Sequence, residues 1–195
     1  DDPDMGQSRF GYDLNGNLAW AQDAKGQILN YSYDGLNRLT ERAGPEGVLA
    51  RYVYDDPGMP FSKGRLSGTR FGEGLLEQKQ FAYDQLGRKT EVAQRVSGVD
   101  YPVQTRYNAL GQTTELVYPG GQKARYEYNT AGQLKTVWFN DVPVVSQIHY
   151  DAWGKPVIML FGCGLLRAYI YDDLTQRLDL LVVGEPTGML RQFLK

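Results

Sequence analysis

The sequence contains very few of the residues that form reactive sites or covalent cross-links. Its 195 residues include one cysteine, Cys163, and one histidine, His149. A single cysteine excludes an internal disulfide, and this pair is too small for a zinc site, which needs three or four ligands. A catalytic triad or a cysteine-histidine pair would depend on His149 alone. We therefore expect no catalytic residue, no metal and no cofactor.

An excess of positive charge and long apolar runs are also missing. Lys and Arg number 21 against 23 Asp and Glu, so the net charge is −2. Nucleic acid and anionic lipid both require a basic surface, which this balance does not supply. The sequence has no run of about 18 apolar residues, which is the length that a transmembrane helix needs. Its acidic beginning does not resemble a signal peptide. The sequence predicts neither nucleic-acid binding nor membrane insertion by this segment.

Glycine and tyrosine are abundant, with 23 and 14 residues. A tyrosine followed by Asp or Asn recurs at steps of 21, 21, 29, 24, 21, 22 and 21 residues. These motif tyrosines are Tyr12, Tyr33, Tyr54, Tyr83, Tyr107, Tyr128, Tyr150 and Tyr171. Six of the eight positions two residues earlier are aromatic, and residues two apart share one face of a strand. Each copy therefore predicts a β-strand with an aromatic pair, or a close substitute, on one face.

Each motif tyrosine precedes a predicted tight turn. Asp or Asn at the first position accepts a backbone N–H, and Gly or Asn at the fourth tolerates a left-handed conformation. The predicted structural turn residues are Asp13, Gly16, Asp34, Asn37, Asp84, Gly87, Asn108, Gly111, Asn129, Gly132, Asp151 and Gly154. Further turns are predicted about halfway between them, at Asp23–Gly26, Gly44–Gly47, Pro119–Gly121 and Asn140–Pro143.

Turns every ten or eleven residues predict an all-β fold, in which antiparallel strand-turn-strand repeats form a curled or spiral β-sheet shell segment. Two strands per copy give about sixteen strands, whereas open twisted sheets hold about ten before they curl. We expect a single repeat array over residues 1–195, with about eight repeats at 9–178. A longer loop is expected after Tyr54, where Pro57 disfavours a tight turn. We also expect the array to be a fragment of a larger shell protein.

Three segments carry a specific family resemblance. Tyr31–Thr40 (YSYDGLNRLT), Phe81–Arg88 (FAYDQLGR) and Arg125–Leu134 (RYEYNTAGQL) resemble the YD repeats of the Rhs family. The resemblance runs from about Arg9 to about Leu178. The repeat array resembles the β-shell of bacterial Rhs proteins and of insecticidal Tc-toxin B and C components.

The resemblance implies a function that spacing alone does not. Proteins of this family wind their repeats into a hollow shell, which encloses a C-terminal toxic polypeptide before delivery. The chain would then be a structural shell segment of a secreted or translocated bacterial toxin component. Its partners would be the enclosed toxin polypeptide and other repeats or subunits of the same shell. No convincing copy of the family's aspartyl autoprotease motif is present, and we expect no enzyme.

Alternative functions remain open at this point. Teneurins use a similar shell in cell adhesion, and rows of aromatic residues could stack on sugars. A cell-surface adhesion or carbohydrate-binding module is therefore the alternative function. A calcium loop at Asp13–Asn17 is disfavoured, because Leu18 and Ala24 occupy the positions that an EF-hand gives to Gly and Glu.

Overall fold

The computed structural model describes residues 6–185 and 190–194, and it is an all-β fold. The described residues form 17 strands and one short 3-10 turn at Glu73–Leu75. Successive strands pair antiparallel wherever a pairing is defined within a unit. The predicted all-β, antiparallel architecture is thereby confirmed. The chain divides into two compact units, of which the first ends at Val103 and the second begins at Gln104.

The first unit is a meander of short strands. Its strands are β1 (Arg9–Tyr12), β2 (Leu18–Gln22), β3 (Ile28–Tyr33), β4 (Leu39–Gly44), β5 (Gly47–Tyr54), β6 (Leu66–Phe71), β7 (Glu77–Tyr83), β8 (Lys89–Val96) and the first part of β9 (Val99–Tyr107). From β1 to β8, each strand pairs with the next one along the chain.

The second unit repeats this arrangement. After the second part of β9 it contains β10 (Thr113–Val117), β11 (Lys123–Tyr128), β12 (Leu134–Phe139), β13 (Val142–Tyr150), β14 (Pro156–Phe161), β15 (Leu166–Tyr171), β16 (Leu178–Gly184) and β17 (Leu190–Leu194). Here too each strand pairs with its neighbour in sequence, from β9 to β17.

Burial is thin and alternates along the strands. In β11 the aromatic face is half-buried, whereas Lys123, Arg125 and Glu127 between those residues are exposed. Among the side chains that the structure describes, the buried hydrophobic ones are Ala50, Phe81, Tyr83, Ala124, Val145 and Ile148, and none of them is fully buried. Stability therefore depends strongly on backbone pairing and on the turns, because little apolar surface is deeply enclosed.

Several local details differ from the sequence-based expectation. Strands run from four to nine residues, so strand length varies more than turns at every ten or eleven residues would indicate. The predicted turn at Asn140–Pro143 lies one residue earlier, since Val142 and Pro143 already belong to β13. Asn140 and Asp141 both have positive φ, 47° and 64°, which fits a two-residue hairpin turn of the primed type. The long loop after Tyr54 is present between β5 and β6.

Candidate functional site

The eight motif tyrosines all occupy one structural position: each is the last residue of its strand, in β1, β3, β5, β7, β9, β11, β13 and β15. The Asp or Asn that follows begins the turn in every repeat. The Tyr-Asp step therefore marks a chain reversal at the same edge of each unit. We call this edge the YD edge, defined by the turns that begin at residues 13, 34, 55 and 84 in the first unit and at 108, 129, 151 and 172 in the second.

Six of these turns share one hydrogen-bond pattern, illustrated by Asp13. Its carbonyl accepts the N–H of Gly16 at 3.1 Å, and its own N–H donates to the carbonyl of Asn17 at 2.9 Å. Its carboxylate Oδ1 also accepts the backbone N–H groups of Asn15 and Asn17, at 2.9 and 2.8 Å. Gly16 has φ of 83°. This is a three-residue hairpin loop whose last residue is left-handed, which introduces a bulge into the second strand.

The other five turns place the predicted residues in the same way. The fourth-position N–H donates to the first-position carbonyl in the pairs Asn37–Asp34, Gly87–Asp84, Gly111–Asn108, Gly132–Asn129 and Gly154–Asp151, at 2.9 to 3.1 Å. The fourth-position residues of these five turns all have positive φ, between 60° and 82°. The structure thus places all twelve of these residues in chain reversals, while their weight in stability stays a prediction.

The third and eighth turns also reverse the chain with a left-handed residue, but different residues supply it. In the third, Asp55 itself takes a positive φ of 56° and donates its N–H to the distant carbonyl of Arg65. In the eighth, the carbonyl of Asp172 accepts the N–H of Gln176 at 2.8 Å, and Gln176 supplies the left-handed position with φ of 59°. Gln176 therefore occupies the left-handed position that glycine fills in five of the six turns above and Asn37 fills in the other.

The motif tyrosines have a second role that the sequence analysis did not identify. Five of their hydroxyls donate to a backbone carbonyl of the preceding repeat, at 2.7 to 3.1 Å. The pairs are Tyr33–Leu18, Tyr83–Leu66, Tyr128–Thr113, Tyr150–Leu134 and Tyr171–Pro156. Every acceptor is the first residue of its strand, beside the register shift that follows the turn. A bulge interrupts the ladder at that point, so the tyrosine supplies a hydrogen bond where the backbone pairing is irregular.

The residue four positions after the turn Asp or Asn complements it in polarity. Asp34 accepts from the Arg38 guanidinium at 2.7 Å, and Asp84 accepts from Arg88 at 2.7 Å. Where the turn begins with Asn, the residue four positions later is Gln. The Asn108 side-chain amide donates to the Gln112 side-chain oxygen at 2.9 Å. The same pairing joins Asn129 and Gln133. This matching is visible in the sequence as Asp with Arg, Lys or Asn and Asn with Gln, and it could have been found there.

The same side chains also connect neighbouring turns. Within the first unit, the Arg38 guanidinium reaches Asp55 of the next turn at 2.6 Å, and Asn17 donates to Asn37 at 2.9 Å. Within the second unit, Gln112 donates to the carbonyl of Gly132 at 2.6 Å. The turns at each YD edge are therefore linked in sequence by side-chain hydrogen bonds, which sequence spacing alone did not indicate.

The pKa directions agree with this hydrogen bonding. The backbone N–H of Arg38, followed by its guanidinium, holds the pKa of Asp34 below its ordinary value of 3.8, despite some opposing desolvation. For Asp13, the side-chain amide of Asn17 is the main cause of a lowered pKa. Burial raises the pKa of Tyr83 and Tyr150 above the ordinary 10.0. The carboxylates of Asp13 and Asp34 thus act as ionised hydrogen-bond acceptors, which is a structural role.

Residues with reactive side chains are scattered over the described part of the chain. His149 lies on an exposed position of β13, and Cys163 is exposed in the turn between β14 and β15. The described residues contain no cluster of three or more His, Cys, Asp or Glu that could hold a metal ion. Within them, no helix is long and apolar enough to span a membrane.

Comparison with known proteins identifies the repeat. The family model named RHS Repeat matches residues 12–49 and 107–137, each of which includes Tyr-Asp or Tyr-Asn turns. These two segments are similar to RHS repeats. The double-stranded DNA deaminase toxin A of Burkholderia cenocepacia is 26% identical to this chain over 182 residues, which is 93% of the chain and 12% of that protein.

Solved structures share the fold of this chain. The crystal structure of TcdB2-TccC3-Cdc42 matches 100% of this chain and 11% of its own, with a TM-score of 0.89 and 17% identity. The Photorhabdus luminescens Tc holotoxin pore matches the same shares with a TM-score of 0.87, also at 17% identity. The chain thus spans about one-tenth of the length of these relatives. The predicted likeness to the fold of the Tc-toxin β-shell is confirmed.

Proposed function

We propose that this RHS-repeat array is a structural segment of a bacterial toxin shell, which encloses a C-terminal toxic polypeptide before delivery. The carrying observation is the match of the whole chain to TcdB2-TccC3-Cdc42 at a TM-score of 0.89, together with the RHS repeats. The toxin named in the Burkholderia cenocepacia relative supports the same interpretation. The single repeat array, with about eight repeats at 9–178, would be one part of a longer shell.

The local chemistry supports a mechanical role. Each turn carboxylate described above accepts hydrogen bonds from its own backbone, so its oxygens hold the chain reversal. The tyrosine hydroxyls, and the side chains that lie four residues after the turn Asp or Asn, then join one repeat to the next. A sheet whose repeats are connected in this way resists local opening better than backbone pairing alone would. We propose that the segment itself is not an enzyme, and that the chemistry of the toxin belongs to the enclosed polypeptide.

The proposed setting follows from the same comparison. The shell would be secreted or translocated, and its partners would be neighbouring repeats or subunits and the enclosed polypeptide. The segment would neither bind nucleic acid nor enter a membrane.

Limited proteolysis of the full-length protein that contains this segment tests the proposal. We expect the polypeptide downstream of the shell to be protected in the wild type. A variant with Tyr83→Phe and Tyr150→Phe, which removes one repeat-to-repeat hydrogen bond in each unit, should expose it sooner at elevated temperature. A matched Tyr101→Phe variant should behave as wild type, because that side chain is 47% exposed and lies outside the YD-edge turns. Digestion of the downstream polypeptide at the same rate in the wild type and when expressed alone would refute enclosure.

A further inference from the structure

The tips of the YD-edge turns carry bulky apolar side chains that point into solvent. In the first unit the tip residues are Leu14, Leu36, Phe61 and Leu86, and in the second they are Leu110, Trp153 and Leu174, with Ala131 in the remaining turn. Phe61 is 53% exposed, and the other six large side chains are between 67% and 107% exposed. Turn tips in a solvated β-protein are ordinarily polar. Seven large apolar tips in eight turns therefore indicate an interaction surface.

The opposite edge of each unit lacks this feature. Its turn tips in the first unit are Ala24 and Lys25, Pro45 and Glu46, Leu76, and Ser97 and Gly98. In the second unit they are Pro119 and Gly120, Asn140 and Asp141, and Gly162 and Cys163. Leu76 is the one large apolar tip among these described turns. The apolar tips thus follow one edge rather than turns in general.

The spacing of the tips is set by the sheet. Neighbouring strands lie about 4.8 Å apart, so successive YD-edge tips within a unit recur about every 10 Å. A partner that buries several tips together needs apolar groups or hollows at the same interval. Another edge of this same repeat has that interval by construction, because its own tips are separated by two strands.

Six of the eight YD-edge turns are neutral or have a cation beside their carboxylate, which favours the approach of two identical edges. Asp34 and Asp55 both pair with Arg38, and Asp84 pairs with Arg88. In the second unit, the turns at Asn108 and Asn129 are neutral, and Lys155 lies 4.0 Å from Asp151. Asp13 and Asp172, in the first and last turns, bond to neutral groups, so like-charge repulsion between two copies is concentrated at those two turns and apolar burial can dominate along the rest of the edge.

The edge also offers spaces that a tip side chain can enter. In the first unit, a pocket of about 760 Å³ lies between Leu36 and the long loop, lined by Met59, Pro60 and Phe61 among others. In the second unit, Ala131 leaves a gap between the taller tips of Leu110 and Trp153. Each unit thus carries both protruding apolar side chains and a hollow along the same edge, as interdigitating surfaces do.

We propose that the YD edge is a self-association surface, which packs against the YD edge of a second copy of this chain through the apolar tips. The inference does not depend on the shell function, since it follows from the exposure, spacing and charge of the turns. It also differs from strand addition, in which backbone groups of an edge strand pair with another chain.

The oligomeric state of the 195-residue chain tests this surface. In sedimentation velocity over a concentration series, we expect a reversible dimer. Replacing two tips together, Leu110→Asn with Leu174→Asn, should raise the dissociation constant by about tenfold or more, as expected for losing two buried leucines. The matched control is Leu76→Asn with Val142→Asn, which removes apolar side chains of comparable exposure from the opposite edge, and it should leave the dissociation constant within about twofold.

Cross-linking locates the contact independently. Cys163 lies in a turn at the opposite edge and is exposed, so the wild type serves as its own control for a flexible bis-maleimide cross-linker. A chain with Trp153→Cys and Cys163→Ser should cross-link to dimer far more than the wild type. Because the tips are exposed, the Leu110→Asn with Leu174→Asn variant and the Trp153→Cys with Cys163→Ser variant should both keep the wild-type circular dichroism spectrum.

Three outcomes would overturn the proposal. The first is a chain that stays monomeric at all concentrations. The second is association that the Leu110 and Leu174 substitutions leave unchanged. The third is association that Leu76→Asn with Val142→Asn weakens as much as the tip substitutions do, because that result would not assign the contact to the YD edge. None of these outcomes would bear on whether the full-length protein encloses a polypeptide.

Discussion

The hydrogen bond from Tyr150 to the preceding repeat gives the sharpest test of how this array is stabilised. The Tyr150 hydroxyl donates to the Leu134 carbonyl at 2.7 Å in a half-buried position. Tyr150→Phe removes that donor, keeps the ring, and leaves the carbonyl beside a register shift without this partner. Leaving a partly buried acceptor unsatisfied costs about 1–2 kcal/mol. For an array of this length, that loss lowers Tm by about 2–8 °C.

The control is Tyr12→Phe, which makes the same chemical change where the side chain is 65% exposed. Its hydroxyl faces water, so the free energy of unfolding should change by less than about 0.5 kcal/mol. Urea unfolding followed by fluorescence gives both values. Amide hydrogen exchange should show faster opening of β12 and β13 in the Tyr150 variant alone. Equal unfolding free energies for the two variants would refute the stabilising role of the motif tyrosine.

Additivity and alkaline pH extend the same test. Tyr83→Phe and Tyr150→Phe lie in different units and share no partner, so their effects should add within about 0.5 kcal/mol. Burial raises the pKa of Tyr150 above 10.0, so its neutral form stabilises the fold below pH 10. That contribution is lost as the pH rises through the higher folded-state pKa. Between about pH 9 and pH 11, the free energy of unfolding should therefore fall less in the Tyr150→Phe variant than in the wild type.

Three further predictions follow from the turns. Asp84→Asn with Arg88→Gln copies the pair found in the Asn-containing repeats, so the fold should persist. In urea melts, the double variant should lose less stability than the wild type as the pH falls below 3.8. The reason is that the wild type loses the contribution of the lowered Asp84 pKa, which the variant lacks. Gly162→Ala should lower the free energy of unfolding by about 2–3 kcal/mol, since its Cβ would lie 1.6 Å from a backbone oxygen. The control Gly164→Ala should cost about 1 kcal/mol, because only a positive φ opposes that change. Equal melting curves for the two variants would contradict this. Arg38→Lys should lower Tm because one ammonium cannot replace its two-carboxylate contact; a wild-type Tm at low salt would contradict this.

Sequence periodicity was sufficient for much of the fold. The Tyr-Asp steps predicted strand ends, and all eight motif tyrosines are the final residues of strands. This succeeded because turn chemistry is local: Asp13 binds N–H groups only two and four residues away. The turn at Asn140 was misplaced by one residue, because a primed two-residue turn needs two left-handed residues and Asn140 with Asp141 supplies both.

The candidate site was predictable only in part. The turn carboxylates were found from their spacing, but the tyrosine hydroxyl bonds were not, because each joins residues 15 to 17 positions apart across a strand pair. The link from Arg38 to Asp55 likewise depends on the register of neighbouring turns. The polarity match between Asp84 and Arg88 was present in the sequence and needed only the correct offset.

The sequence by itself determined the chain reversals and the alternation of faces, because both follow from backbone preferences of a few consecutive residues. The tertiary structure decided which carbonyl each tyrosine reaches and which turns are linked. It also decided that the apolar tips follow one edge. Those features depend on strand register, and register is fixed only when distant parts of the chain pair.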